Sequence, residues 1–300
     1  MNIIYLLLAL WPVVPCCPAW PERQSPQDSL LVVSWNVENF LDYRTDTTGR
    51  YTRKRFYTKC NAIAKTLLLI GERQGRLPDA VALMEVGDRF VLERLLRETP
   101  LRKLDYGIVH YESPDRRGID CALLYRCSTL NLICSARKPL LDSAGAVMPT
   151  RDILLAEFDS LAILVNHHPS KVGADSELRR AIAMRRMTEV MDSLGLRRIL
   201  AVGDFNDDVW HDGGPGTIKY NGAWEKIDGH FARGAIEVRE TVFADPCLTE
   251  RDRSFGGLKP RRAFVGPRWN GGVSDHYPIV LKIYYICKNK PTPTCLSNAE

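Results

Sequence analysis

The stretch RILAVGDFND, residues 198–207, joins an apolar run to a turn that carries two carboxylates and an amide. A second stretch, SDHYPIVL at 274–281, has the opposite order, with an Asp-His pair before the apolar run. Short apolar runs beside polar turn residues predict buried strands, and strand ends of an α/β protein commonly expose its chemistry. The first stretch offers hard oxygen ligands, and the second adds an imidazole that changes protonation near neutral pH. Together they indicate metal-assisted attack on a phosphate ester.

Further strand-like runs recur along the chain, with helical patterns between some of them. The runs lie at 30–35, 80–84, 121–125, 130–134, 153–158, 161–165, 199–202 and 279–285. The helical patterns lie at 53–70, ending at Gly71, at 89–97, and from Asp175-Ser176 to Gly195. Consecutive runs such as 121–125 and 130–134 predict hairpins, which favours mixed or antiparallel pairing over a doubly wound parallel sheet. We therefore expect an α/β fold in which two sheets pack face to face with helices outside.

The composition is that of an ordinary globular protein large enough for one sizeable core. Of its 300 residues, 45% are hydrophobic and 26% are charged. No repeat or linker divides the chain, so we expect one domain over residues 28–287, followed by a tail at 288–300. The net charge of +5 is compatible with a polyanionic partner but does not identify one.

The first 20 residues have the pattern of an export leader. The apolar run at 3–14 is too short and too interrupted by proline to span a membrane, and Ala19 lies near a possible cleavage point. Cys16 or Cys17 offers a lipidated alternative, so residues 1–20 are a signal peptide or a lipoprotein leader. We expect an exported protein that is periplasmic, secreted or lipid-anchored.

Four more polar motifs accompany the two opening stretches, in the order SWNVEN (34–39), LMEV (83–86), RGID (117–120) and NHHPS (166–170). This set and its order resemble the endonuclease/exonuclease/phosphatase superfamily, which includes pancreatic deoxyribonuclease, neutral sphingomyelinases and inositol polyphosphate 5-phosphatases. The resemblance runs from about Leu30 to Ile286. It implies a four-layer sandwich of two packed mixed β-sheets flanked by helices, and a phosphoesterase that uses Mg²⁺, with Mn²⁺ as a possible substitute.

The resemblance also implies a role for each motif residue at the metal centre. Glu85 is implied as the principal metal ligand, with Asn36 beside it in contact with the metal or the phosphate. Asp275 is implied either to bind a second metal or to support the first. Asp204 is implied to orient or deprotonate the attacking water, and Asn206 to hold the phosphate.

Two carboxylate–histidine pairs are implied around the same phosphate. His276 donates to a phosphoryl oxygen or transfers a proton, and Asp228 orients it. His167 is preferred to His168 because the motif usually reads Asn-His-x-Pro-Ser, and Asp120 is implied to orient it. Arg151 falls where nuclease members place a phosphate-binding arginine.

The substrate is less determined than the chemistry. Two segments that mix basic and aromatic residues, 51–56 and 259–269, favour a nucleic acid, DNA above all. A lipid headgroup or an inositol phosphate is the alternative, and a surface-binding protein with a retired active site is a third, disfavoured because Glu85, Asp204 and His276 are present. We expect a monomer with no stable protein partner and no transmembrane span.

Overall fold

The computed structural model describes residues 29–47, 49–195, 198–209 and 215–286. The expected leader and tail therefore lie outside the described residues. The strands are β1 (Ser29–Phe40), β2 (Ala80–Val86), β3 (Tyr106–His110), β4 (Asp120–Arg126), β5 (Leu132–Lys138), β6 (Ile153–Phe158), β7 (Ala162–His167), β8 (Ile199–Asp204), β9 (Ile218–Tyr220), β10 (Ala223–Glu225), β11 (Asp228–Arg233), β12 (Ile236–Val242), β13 (Thr249–Arg251), β14 (Leu258–Pro260), β15 (Phe264–Val265), β16 (Arg268–Trp269) and β17 (Ile279–Tyr285). The helices are α1 (Arg53–Gln74), α2 (Arg89–Arg97) and α3 (Ser176–Ser193), with short 3₁₀ turns at Pro100–Lys103 and Pro246–Leu248.

Most strands belong to two mixed sheets, as the sequence predicts. The six-stranded sheet has the order β12-β17-β1-β2-β4-β3, and the five-stranded sheet has the order β11-β8-β7-β6-β5. In each sheet a parallel pair lies among antiparallel neighbours: β1 with β2 in the first, and β7 with β8 in the second. These parallel pairs bring the ends of four motif-bearing strands to one edge of the molecule.

Three hydrophobic clusters separate four layers. The apolar faces of the two sheets pack against each other through residues such as Val32, Ala82, Ile163 and Val202. Helices α1 and α2 cover the outer face of the six-stranded sheet, and α3 covers the five-stranded sheet. This is the sandwich that the resemblance implies. No described helix is long and apolar enough to cross a membrane.

Local signals predict some elements well and others poorly. The bounds of β6, α2 and β17 agree with the prediction. The predicted hairpin between runs 121–125 and 130–134 is wrong, because β4 lies in the six-stranded sheet and β5 pairs with β6 in the other. The chain crosses between sheets there, and Leu130 is buried in the cluster between them.

Helix α1 continues past the glycine that the sequence suggests as its end. Gly71 is a buried helical residue, and a Cβ there would lie 3.0 Å from Cδ2 of Leu77, so glycine permits the close approach of the following chain. The helix ends instead at Gly75, which adopts φ = 70° and donates its N–H to the carbonyls of Glu72 and Gly71.

The strands that carry the polar motifs end irregularly. The pairing register shifts after Asn36 in β1 and after Met84 in β2. Glu38, Asn39, Glu85 and Asn206 all have positive φ without being glycine. Such backbone conformations tend to cluster at functional sites, where the surrounding structure must hold them.

Candidate active site

The carboxylate of Asp204 lies at the centre of the polar edge. Asp204 is the last residue of β8, and its register neighbours are His167, which ends the parallel strand β7, and Asp228, which begins the antiparallel strand β11. Strand β8 can lie this close to β7 because residue 203 is a glycine. Gly203 has φ = 150°, and a Cβ there would lie 1.9 Å from the carbonyl oxygen of Asn166. Gly203 is therefore a packing requirement of the site.

Asp204 is almost fully buried, yet among the described residues no cationic group lies at hydrogen-bond distance from its carboxylate. Its Oδ2 accepts a 3.0 Å hydrogen bond from Nδ2 of Asn36, and its Oδ1 accepts one from the backbone N–H of Asn206. Burial, and then the nearby charge of Asp228, raise the pKa of Asp204 to about 7. A carboxylate with this pKa can accept a proton at neutral pH.

His276 forms the carboxylate–histidine pair that the resemblance implies. Its Nδ1 lies 2.8 Å from Oδ2 of Asp228, and its Nε2 faces Asp204, 3.9 Å from Oδ2. Burial by itself would lower the pKa of His276, but Asp228 and the other carboxylates outweigh it and raise the pKa well above the usual range. The ring is therefore an imidazolium at neutral pH.

His167 is the second imidazole, and its Nε2 faces the same oxygen of Asp204 as that of His276. Its Nε2 lies 3.6 Å from Oδ2 of Asp204 and 4.0 Å from Oε1 of Glu85. Burial, followed by the charge of Arg151, lowers the pKa of His167 well below the usual range, so this ring is neutral. Asp204 thus lies between one neutral and one protonated histidine.

The expected pairing of Asp120 with His167 is not formed. Oδ1 of Asp120 accepts from the backbone N–H of Ser113, and Oδ2 lies 3.6 Å from Nε2 of His110. Within the described parts of the chain, this Oδ2 and the Nδ1 of His167 are both buried without a hydrogen-bond partner. Asp120 lies beside His110 for a topological reason. Asp120 begins β4, and His110 ends β3, which is the antiparallel neighbour of β4. The sheet therefore supplies a nearer histidine.

Glu85 and Asn36 lie on the six-stranded side of the site. Glu85 has φ = 62°, and its Oε2 accepts a 2.8 Å hydrogen bond from the N–H of Asn39. Its Oε1 lies 3.8 Å from Nη1 of Arg117. The amide of Asn36 accepts from the N–H of Glu38 through Oδ1, so it both shapes the end of β1 and positions Asp204.

A sequence comparison identifies the family to which a chain with this arrangement belongs. The model of the Endonuclease/Exonuclease/phosphatase family matches residues 32–219, which is more than half of the chain and includes the motifs from Asn36 to Asn206. The chain belongs to this family. It is accordingly a hydrolase that acts on phosphoric ester bonds. No curated protein sequence matches it closely enough to count as a relative.

Solved structures show the same fold at low sequence identity. An endonuclease/exonuclease/phosphatase family protein from Bacteroides thetaiotaomicron is 17% identical with a TM-score of 0.57, covering 86% of this chain and 98% of that chain. A mannosyl-6-phosphatase from Bacteroides thetaiotaomicron VPI-5482 is 17% identical with a TM-score of 0.57, covering 85% of this chain and all of its own. TDP2 from D. rerio, complexed with a single strand DNA product, is 16% identical with a TM-score of 0.56, covering 85% and 98%. These similarities confirm the deoxyribonuclease-I-like fold.

The residues of this family member fit a divalent metal, which the family typically uses. Glu85, Asn36 and Asp275 offer oxygen donors, the type that Mg²⁺ prefers. Asp204, Asp228 and His276 also bring their possible ligand atoms within 4.8 Å of one another. A bound cation would neutralise this concentration of buried carboxylates. The assignment of Glu85, Asn36 and Asp275 as its ligands, and of Mg²⁺ as the ion, stays a prediction.

Two further motif residues, Asn206 and His168, make contacts within the protein. Nδ2 of Asn206 donates to the carbonyl of His168, so one of its two N–H groups is left for a phosphate. His168 itself is buried edge-to-face against Phe205. Burial lowers its pKa to about 3, so it is a neutral packing residue.

The arginine expected to bind phosphate is buried. Nη1 of Arg151 lies 3.2 Å from Oδ2 of Asp115, and its Nη2 donates to the carbonyl of His168 at 2.7 Å. Arg151 therefore supports the strand end that carries the histidines. Arg117, which is half-exposed beside Glu85, is the better placed of the two for a phosphate contact. The sequence suggests Arg117 only as a weaker candidate than Arg151 for this contact, since the exposure of a side chain cannot be read from residue type.

The two basic and aromatic segments are also used internally. Tyr51 and Phe264 are buried and pack edge-to-face with ring centroids 5.1 Å apart, and Phe264 contacts Trp269 in the same way. Phe56 is buried in the cluster beneath α1. The buried rings of Tyr51, Phe56 and Phe264 are not available to stack on bases. The sequence predicts Arg262 only as a contact to nucleic acid, whereas its side chain contacts the carboxylates of Asp275 and Glu38.

Proposed function

We propose that this hydrolase is a divalent-metal-dependent phosphodiesterase that cleaves nucleic acid, with DNA as the favoured substrate. The observation that carries the chemistry is the position of Asp204 between neutral His167 and protonated His276. A base with a pKa of about 7 and a cationic donor on one side of it are what water attack on a phosphodiester requires.

In this mechanism the side chains have separate tasks, except that Asn36 serves both the cation and Asp204. A divalent cation held by Glu85, Asn36 and Asp275 would withdraw charge from the phosphate. Asp204 accepts the proton of the attacking water, and Asn36 holds its carboxylate in place. His276 donates to a phosphoryl oxygen as charge develops there.

Support for a nucleic acid comes from groups at the mouth of the site. Arg117 offers an exposed guanidinium next to Glu85. Trp224 is partly exposed and stacks on Tyr277 with centroids 5.7 Å apart, and its hairpin starts at Ile218, which forms a β-bridge with His276. An exposed indole next to a reacting phosphate suits stacking with a base. The D. rerio neighbour is complexed with single-strand DNA.

A lipid headgroup is the second candidate, because an exposed apolar patch includes Tyr220 of the same hairpin and the neighbouring segment that carries Phe255 and Leu258. Tyr220, Phe255 and Leu258 are each more than half exposed, and Phe255 packs over the turn at Gly222. Such a patch is of the kind that docks on other surfaces, membranes included. Among the neighbours, the mannosyl-6-phosphatase adds a small phosphomonoester as a third substrate to compare.

A substrate panel tests the proposal. Purified protein with Mg²⁺ or Mn²⁺, with and without chelator, is offered plasmid, single-stranded DNA, RNA, sphingomyelin vesicles, inositol phosphates and mannose 6-phosphate. We expect metal-dependent cleavage of DNA to be fastest. Turnover of vesicles or of a phosphomonoester with plasmid cleavage near background would contradict the nucleic-acid assignment.

Two matched variants separate the candidates. Trp224→Ala should raise KM for DNA and leave a small artificial phosphodiester unaffected, whereas Tyr220→Ala on the same hairpin should leave both unaffected. The lipid alternative predicts instead that Tyr220→Ala weakens binding to vesicles.

We propose also that the protein is exported and monomeric. The warrant is the apolar leader at 1–20, followed by the polar segment at 21–29. Mass spectrometry of the native protein should find an N-terminus between about Cys16 and Ser25, and recovery of intact Met1 from the cytosol would overturn export. Light scattering that gives a dimer mass would overturn the monomer.

A further inference from the structure

Arg262 joins two carboxylates at the edge of the active site. Its Nη2 lies 3.0 Å from Oε1 of Glu38 and 3.0 Å from Oδ2 of Asp275, and its Nε donates to the same oxygen of Glu38 at 3.0 Å. One cationic nitrogen therefore bridges a carboxylate from the end of β1 and one from the motif before β17.

Glu38 is held so that its carboxylate stays at this position. Its Oε2 accepts a 3.0 Å hydrogen bond from the N–H of Ala263, and its backbone carbonyl accepts from Nζ of the buried Lys59. Its φ of 48° places the residue in the left-handed region. Because both the backbone and the side chain are anchored, Glu38 cannot readily turn away if Arg262 is removed.

The two carboxylate oxygens of Asp275 face different groups. Oδ2 contacts Arg262, whereas Oδ1 lies 4.0 Å from Nε2 of His276, on the side of the catalytic groups. The residue can therefore serve the metal proposed above through Oδ1 while Arg262 occupies Oδ2.

We propose that the guanidinium of Arg262 is a built-in cation that takes the place of a second divalent metal between Glu38 and Asp275, so that this enzyme works with one metal. The inference rests on the proposed metal-dependent function. Two carboxylates that converge within 3.0 Å of one point form a site that a hard cation would otherwise bridge, and without a cation their charges repel. Arginine suits the task because it stays charged and matches carboxylates with directed N–H groups.

The test measures how many Mn²⁺ ions bind the full-length protein, by equilibrium dialysis and by electron paramagnetic resonance. The wild-type protein should bind one equivalent. Arg262→Gln should bind two, and Arg262→Lys, which keeps the positive charge, should bind one. Glu38→Gln added to Arg262→Gln should restore one equivalent, because the second ion loses a ligand.

Arg261→Gln is the matched control, since Arg261 donates to the carbonyl of Asn270 rather than to a carboxylate. It should bind one equivalent. Two equivalents in the wild-type protein, or one in a folded Arg262→Gln protein, would overturn the inference while leaving the proposed function intact. If Arg262→Gln does not fold, the wild-type and Arg262→Lys proteins still show whether the enzyme binds one equivalent of Mn²⁺ or two. Absence of Mn²⁺ binding to the wild-type protein would instead contradict the proposed function.

Discussion

The imidazole of His276 and the carboxylate of Asp228 are 2.8 Å apart, although 48 residues separate them in the chain. The backbone of His276 is fixed independently: its carbonyl accepts from Nε1 of Trp35, and its N–H donates to Oγ of Ser274. The position of the ring is thus set by neighbouring segments, while Asp228 sets its orientation and charge. We therefore expect Asp228 to act through the histidine.

This pairing predicts non-additive kinetics. His276→Ala should lower kcat by about 10²-fold or more, since it removes the proposed proton donor. Asp228→Asn should lower kcat in the same way because the imidazolium is no longer stabilised. The double variant should be little slower than the worse single variant, as residues that act as a unit behave. Defects that multiply in steady-state assays on a plasmid would show that the two act separately.

Glu85→Gln tests the metal site without a change of shape. The variant keeps one hydrogen-bond acceptor for the N–H of Asn39, so circular dichroism and thermal unfolding should match the wild-type protein. It should bind Mn²⁺ weakly and lose most activity, because the charged oxygen ligand is gone. Full activity of the wild-type protein in excess chelator would contradict metal dependence altogether.

The position of Asp120 predicts which histidine it influences. Double-mutant cycles on unfolding free energy should find coupling between Asp120→Asn and His110→Gln, whose side chains lie 3.6 Å apart. The cycle of Asp120→Asn with His167→Gln should be additive within about 0.5 kcal/mol. Strong coupling in the second cycle would restore the pairing that the family resemblance implies.

The two arginines near the site should have different phenotypes. Arg151→Gln breaks a buried ion pair with Asp115, and it should lower the free energy of unfolding by about 3 kcal/mol, measured by urea denaturation. Arg117→Gln should leave stability unchanged and raise KM for DNA, because its guanidinium is half-exposed. If Arg151→Gln is fully stable and only KM rises, the phosphate contact belongs to Arg151 after all.

Because of Lys59, we expect the free energy of unfolding to change with pH in the alkaline range. Its side chain is fully buried, and burial lowers its pKa to about 8, against 10.5 in an unfolded chain. Between these two values the unfolded state binds more protons, so the free energy of unfolding rises with pH. Relative to Lys59→Met, the wild-type protein should therefore gain about 3 kcal/mol from pH 7.5 to pH 10.5. A difference between the two proteins that does not change over this range would show that Lys59 is not titrating there.

Local patterns predicted elements whose signal lies within a few residues. Strand β17 and helix α2 have the expected bounds because apolar periodicity and capping residues act over one or two turns of chain. Strands β3, β11 and β12 were missed, since their residues are mostly half-buried or exposed and form no continuous apolar run. Local patterns also could not predict which sheet contains β5, because strand pairing is a contact between segments that are distant in the sequence.

The sequence by itself determined the family and the reaction class: the order of its motifs identifies the family with its two mixed sheets, and it predicts Glu85, Asp204 and His276 as residues of the site. Each lies at a strand end, where a short apolar run and a turn suffice to place it. The tertiary structure alone decided the partners of these groups. Arg262 reaches Glu38 across 224 residues of chain, and Arg151 is buried while Arg117 is not. The burial of a side chain and its choice of partner depend on how the two sheets pack together, and no single stretch of sequence specifies that packing.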